Sequence, residues 1–162
     1  MYKNRYELEP AARTTAPIEM QIVHTTAKEK KFNPGRRVEI KYQDLGLQTA
    51  TRGDLRAEVM HIDNTGASRP TGWHYHTADV QFLHVIKGWL RMEFPDLGVV
   101  RLEEGDSITI PGGTVHQELE ASSPVEILEV TLPGKLTTVN VDAPDWAKER
   151  AADYGQISAP KY

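Results

Sequence analysis

The chain has 162 residues, 39% hydrophobic and 26% charged, which suits one globular domain able to bury a single real core. Its formal net charge of −4 disfavours non-specific nucleic-acid binding, which needs a basic surface. There is no cysteine, so disulfides and thiolate metal sites are excluded, and any metal must rest on histidine, carboxylate or amide ligands.

Residues 1–36 read as a loosely structured N-terminal arm, carrying Pro10, Pro17, the run Lys28-Glu29-Lys30-Lys31 and the turn Asn33-Pro34-Gly35. Glu29 interrupts the basic run and stacking aromatics are scarce, so the arm is expected to pack along the domain or a partner subunit. The first residues hold no apolar run of signal-peptide type, and no stretch reaches the length of a membrane span, so a cytoplasmic location is the default expectation.

Residues 37–142 are a series of short strands between turns. The first two expected are Arg37 to Tyr42 and Leu55 to Ile62, the second closed by Asp63-Asn64-Thr65-Gly66. Gly72 to His76 follows, then Val80 to Ile86, closed by Lys87-Gly88. Trp89 to Phe94 alternates Leu90, Met92 and Phe94 against Trp89, Arg91 and Glu93, then turns at Pro95-Asp96-Leu97-Gly98 into Val99 to Leu102. Ser107 to Ile110, Val115 to Leu119 and Val125 to Thr131 complete the series. In residues 143–162 only Asp145 to Asp153 reads as a helix, with Pro144 before it and Gly155 after it. About eight short strands with Gly/Pro turns argue for an all-β sandwich or barrel, and periodicity does not choose among these.

The six histidines are unevenly placed. His74 and His76 are two apart in an expected strand, so both imidazoles project to one face, while Trp73 and Tyr75 project to the other. Such a pair is half of a natural first-row metal site. Gln81 lies at an odd offset from His76, so the chain must turn or bulge at Thr77-Ala78-Asp79 before Gln81 can share that interior. A third histidine, His116, follows the turn Pro111-Gly112-Gly113, in which proline fixes φ and glycine permits positive φ.

These stretches resemble the two motifs of the cupin superfamily. The first motif, His-x-His, three or four residues, Glu, six residues, Gly, reads here as His74-Tyr75-His76, four residues, Gln81, six residues, Gly88. The second, Gly, five residues, Pro-x-Gly, two residues, His, three residues, Asn, reads as Gly105, five residues, Pro111-Gly112-Gly113, two residues, His116, three residues, Glu120. The resemblance implies a cupin double-stranded β-helix, or jelly-roll barrel, flanked by the arm and the short C-terminal helix. It also implies one divalent metal ion (Fe, Mn, Ni, Cu or Zn) on His74, His76, Gln81 and His116.

Two positions depart from the motifs. Gln81 stands where Glu is usual, and is either a weak neutral ligand or a residue that only lines the pocket. As a neutral ligand it would leave the ion its full charge, favouring an anionic substrate, and it could not serve as a base. Glu120 replaces Asn and lies four residues, roughly 13 Å of extended strand, beyond His116, too far to ligate beside it. Glu118 shares the strand parity of His116 and is the nearer carboxylate, though not counted as a ligand. His84, His61 and His24 are expected to be bystanders, and Trp146 to pin the helix to the barrel. The expected activity is a metal-dependent oxygenase acting on a small anionic organic molecule, with a non-catalytic ligand-binding or sensing cupin and a metal-dependent isomerase or lyase as alternatives. No catalytic residue beyond the metal ligands is assigned, and the expected partners are a small molecule and a second copy in a homodimer.

Overall fold

The structure is a computed structural model and describes residues 4–9, 20–35, 37–63 and 70–150. Its main sheet has six strands in the order β1 (Phe32–Pro34), β2 (Ile40–Asp44), β3 (Arg56–Ile62), β10 (Val125–Leu132), β5 (Val80–Lys87) and β8 (Ser107–Pro111). A second layer holds β7 (Gly98–Leu102), β6 (Leu90–Phe94) and β9 (Gln117–Ala121) in that order. It continues through a bridge between His74 and His116 to the pair β4 (His74–His76) and β11 (Thr138–Asn140). Every strand pairing is antiparallel. The two layers form the jelly-roll sandwich expected of a cupin barrel.

Alternation decides which residues enter the core. Strand β10 buries Val125, Ile127, Glu129 and Thr131, with only half-buried residues between them. Strand β5 buries Gln81, Leu83 and Val85, which turns His84 outward. Ile62, Leu83, Val85, Leu90, Met92, Phe94, Leu102, Ile110, Val125 and Ile127 form one apolar cluster between the layers. Each fully buried aliphatic side chain of this kind contributes about 1.5–3 kcal/mol. A second cluster sits outside the barrel, where Trp73, Val115 and Ala147 meet Tyr6 and Tyr75.

Several sequence expectations shift in detail. Strand β2 starts at Ile40 rather than Arg37, because Ile40 N–H already closes a turn onto Arg37 O at 3.0 Å. Residues 32–34, expected in an irregular arm, pair with β2 as β1. One unforeseen helical turn, α1 (Leu47–Ala50), follows Gly46, whose φ of 78° suits glycine. The C-terminal helix α2 spans Asp145–Arg150, and the expected continuation to Asp153 lies outside the described residues. Trp146 packs edge-on against Trp73, with ring centroids 5.7 Å apart, as the pin between helix and barrel. No helix among the described residues is long and apolar enough to cross a membrane.

Candidate metal centre

The histidines reach one point from two directions. His74 and His76 share the inner face of β4, while Trp73 and Tyr75 pack outward into the second cluster. His116 precedes β9, and paired backbone hydrogen bonds of 2.9 Å between His74 and His116 place their side chains together. The Gly112-Gly113 turn fixes this placement. A Cβ on Gly112 would fall 2.0 Å from Ala78 O, and one on Gly113, at φ +75°, would fall 1.9 Å from Tyr6 O. The expected break at residues 77–79 is the crossing from the second layer to the main sheet, so Gln81 faces the histidines from the opposite wall.

Ring centroids of His74, His76 and His116 lie 4.6–5.3 Å apart, and one ligand atom from each falls within 4.8 Å of the others. His74 Nδ1 donates to Gly72 O at 2.8 Å and His116 Nδ1 donates to Thr114 O at 2.9 Å. His76 Nδ1 lies 3.1 Å from Thr138 Oγ1. For His74 and His116 the carbonyl partners assign the proton to Nδ1 and leave Nε2 as the atom bearing the lone pair, the usual tautomer of metal-ligating histidine. Burial, opposed by Glu118, holds the His116 imidazole below its ordinary pKa and so favours the neutral form a metal needs.

The donor set fits a divalent ion. His116 Nε2 and Gln81 Oε1 are buried and make no hydrogen bond, an arrangement that costs free energy unless something accepts their lone pairs. Gln81 is 6% exposed and His116 0% exposed. A bound metal would rest on His74, His76 and His116, with Gln81 within the same small recess.

Glu118 also joins the histidines. Its carboxylate oxygens lie 3.7 Å from His74 Nε2 and 3.8 Å from His116 Nε2. Burial would raise its pKa, but the adjoining His74 and His116 imidazoles, the Thr71 hydroxyl and His76 outweigh burial and hold the carboxyl below the ordinary carboxylate value. Glu120 instead pairs with Arg91 at the cavity rim. His84 bonds Ser107 on the outer face, His61 contacts Gln43 Oε1 at 3.1 Å outside the barrel, and His24 is exposed. All three stay away from the centre, as expected.

The centre opens into a cavity of about 390 Å³ between the layers. Register across β3, β10 and β5 grades its floor. The row Arg56, Thr131, Gln81 is followed by Glu58, Glu129, Leu83, then Met60, Ile127, Val85, with Val125 and Ile62 beyond. On these three strands the ionisable groups thus gather at the metal end and the apolar ones at the other, while Arg37, Glu39 and Glu120 add charge to the rest of the lining. Arg56 Nη2 lies 3.0 Å from Glu129 Oε1, and Arg56 Nε lies 3.4 Å from Glu58 Oε2. Burial raises the carboxyls of both Glu58 and Glu129 against the opposing pull of Arg56, and burial with Glu129 and Glu118 nearby raises the Tyr42 phenol. Sequence reasoning missed this cluster. The signal was there: Glu58 shares parity with Met60 and Ile62, and Glu129 with Ile127 and Thr131, so charge occupies an interior parity.

An antiparallel jelly roll with a three-histidine cluster at the wall of its cavity defines a barrel with a candidate metal centre. A cupin domain model matches residues 59–131, a span containing all three of these histidines, and that stretch of the chain is a cupin domain. No curated protein sequence matches the chain. Among solved structures, the chain is similar to the polyketide cyclase RemF from Streptomyces resistomycificus, at 18% identity and TM-score 0.61, covering 77% of this chain and 89% of that one. It is also similar to hydroxypropylphosphonic acid epoxidase from S. wedmorenis, at 17% identity and TM-score 0.53, covering 74% and 64%. KdgF from Halomonas sp. matches at 19% identity and TM-score 0.52, covering 68% and 94%. At such identities the likeness concerns the fold alone.

Proposed function

We propose that this cupin is a metal-dependent enzyme that moves a proton on a small molecule carrying a carbonyl or enol oxygen and an apolar body. The carrying observation is the shared cavity, in which the histidine cluster and the buried Arg56–Glu58–Glu129 group stand at one polar end. A divalent ion held by the histidines would supply polarisation of a substrate oxygen. Glu129 and Glu58, whose carboxyls burial raises above the ordinary carboxylate value, are suited to take up and return a proton, and Arg56 holds both in place. Ile40, Met60, Ile62, Leu83 and Leu90 offer the apolar end of the cavity to the substrate's hydrocarbon part.

Among the described residues, five glutamates and two arginines line this cavity, so its side chains do not by themselves select the anionic substrate expected from sequence. The oxygenase also expected from sequence uses the same centre, and three imidazoles with open positions suit dioxygen. The fold is shared with one protein named a cyclase and one named an epoxidase, so it does not choose between these chemistries.

The test begins with metal content of protein purified without added metal. Protein loaded with each of Fe, Mn, Ni, Cu and Zn is then given small 1,3-diketones in D2O, with α-carbon deuterium exchange and oxygen uptake followed together. Accelerated exchange without oxygen uptake, lost in His76→Ala and slowed in Glu129→Gln, is the expected result. Oxygen uptake would favour the oxygenase, and binding with neither signal would favour a non-catalytic binder. Refusal of all five metals would remove the basis of the proposal.

A further inference from the structure

The carboxylate missing from the first cupin motif has a counterpart two residues after the histidine of the second. Glu118 lines the cavity and its carboxylate faces His116 across 3.8 Å, since residues two apart in extended chain project together. Its two oxygens address two different histidines, at 3.7 Å from His74 Nε2 and 3.8 Å from His116 Nε2. These separations are too long for hydrogen bonds. Yet two donors each about 2.1 Å from a common ion are at most about 4.2 Å apart, a limit each oxygen satisfies against the one histidine it faces.

The carboxylate is also held in position. Thr71 Oγ1 donates to Glu118 Oε2 and accepts from Glu118 N–H at 3.0 Å, and Thr71 N–H donates to Glu118 O at 2.9 Å. Such an outer hydrogen bond orients a ligating carboxylate. His116 Nε2, buried and without a hydrogen-bond partner, completes the recess on the other side.

We infer that Glu118 is the anionic ligand of this metal centre, taking over from β9 the charge that Gln81 cannot supply from β5. The inference rests on the metal-centre reading above and deepens it. Three neutral imidazoles and one carboxylate leave a divalent ion a net +1, the same charge as the usual motif set, instead of the +2 that Gln81 alone would leave. Gln81 then offers a neutral oxygen to the recess.

The test is Zn²⁺ and Co²⁺ affinity by chelator competition on the full chain, with the Co²⁺ visible spectrum as a second readout. Glu118→Gln should weaken binding by more than about 100-fold, beyond the 10–100-fold typical of residues that only support a ligand. It should also change the Co²⁺ band. The double variant Gln81→Glu/Glu118→Gln moves the charge back to the motif position and should recover affinity to within about tenfold of wild type. Recovery also shows that the Glu118→Gln loss is not misfolding. Wild-type binding with Glu118→Gln inside the 100-fold limit, or a double variant as weak as the single one, would overturn the inference and leave the metal centre standing. A wild type that binds neither ion would overturn both.

Discussion

Replacing Arg56 with Met is expected to destabilise the protein in a strongly pH-dependent way. Arg56 is the shared cation of two interior carboxylates, 3.0 Å from Glu129 and 3.4 Å from Glu58. The three side chains are 21%, 7% and 10% exposed, so solvent screens the group little. Removing one partner of a buried pair costs about 3–5 kcal/mol. Here the stranded carboxylates border a cavity of about 390 Å³ that water can enter, which places the deficit near the lower end, about 3 kcal/mol at pH 7.5. The pH dependence follows from the direction of the shifts. Burial already raises both carboxyls in the wild type while Arg56 lowers them, so the variant raises them further. An acid raised in the folded state keeps its full contribution below its unfolded pKa of about 4.5 and loses it as pH climbs through the folded value. Each such group can lose up to about 1.4 kcal/mol per pH unit in that window. The deficit should therefore be small at pH 4.5 and grow toward neutrality. Urea unfolding of both proteins at pH 4.5, 6 and 7.5, with chelator present to keep metal out, measures it. A deficit that is the same at all three values, or absent at pH 7.5, would refute the reasoning.

Other substitutions test separate parts of the structure. A metal at about 100 times its dissociation constant should stabilise the wild type by about 2.7 kcal/mol, read as a rise in melting temperature, and His76→Ala should abolish the rise. His84→Ala should leave metal affinity unchanged in the same titration, because His84 sits on the outer face against Ser107. Gly113→Ala should cost about 1–3 kcal/mol in thermal unfolding, since the added Cβ meets Tyr6 O at 1.9 Å and the backbone is at φ +75°. Tyr6→Ala removes a ring stacked 4.5 Å from Tyr75 and should cost about 0.5–1.5 kcal/mol beyond lost burial, measured by urea unfolding.

The part of the centre that was legible in sequence is the part set by local geometry. His74 and His76 declare a common face by parity alone, and Pro111-Gly112-Gly113 declares a sharp turn ahead of His116. Glu118 followed from the same parity, but nothing in one strand shows how far a neighbouring strand stands from it. The distances to His74 and the clamp by Thr71 come from pairing between segments more than forty residues apart. The Arg56 group was hidden for the same reason: Arg56, Glu58 and Glu129 are gathered by the register of β3 on β10. Strands β1 and β11 span three residues each, too few for a period-2 signal, and Asn33-Pro34-Gly35 reads locally as a turn. Their strand character is supplied by partners, Lys41 to Gln43 for β1 and His74 to His76 for β11.

The shift of charge from Gln81 to Glu118 alters what the pocket can recognise. A neutral Gln81 alone would leave an exposed +2 centre that draws anions. With Glu118 as ligand the centre carries +1, and the two rows beside it add one arginine and two carboxyls that burial pushes toward neutrality. The metal end of the cavity is then polarising without being strongly electropositive. That combination suits a substrate that arrives neutral and becomes anionic only when it gives up a proton. Binding energy spent on the charge that develops during reaction, and not on charge present beforehand, is the kind that accelerates a reaction. Glu58 and Glu129 stand one register row from Gln81, within the same cavity, to receive that proton.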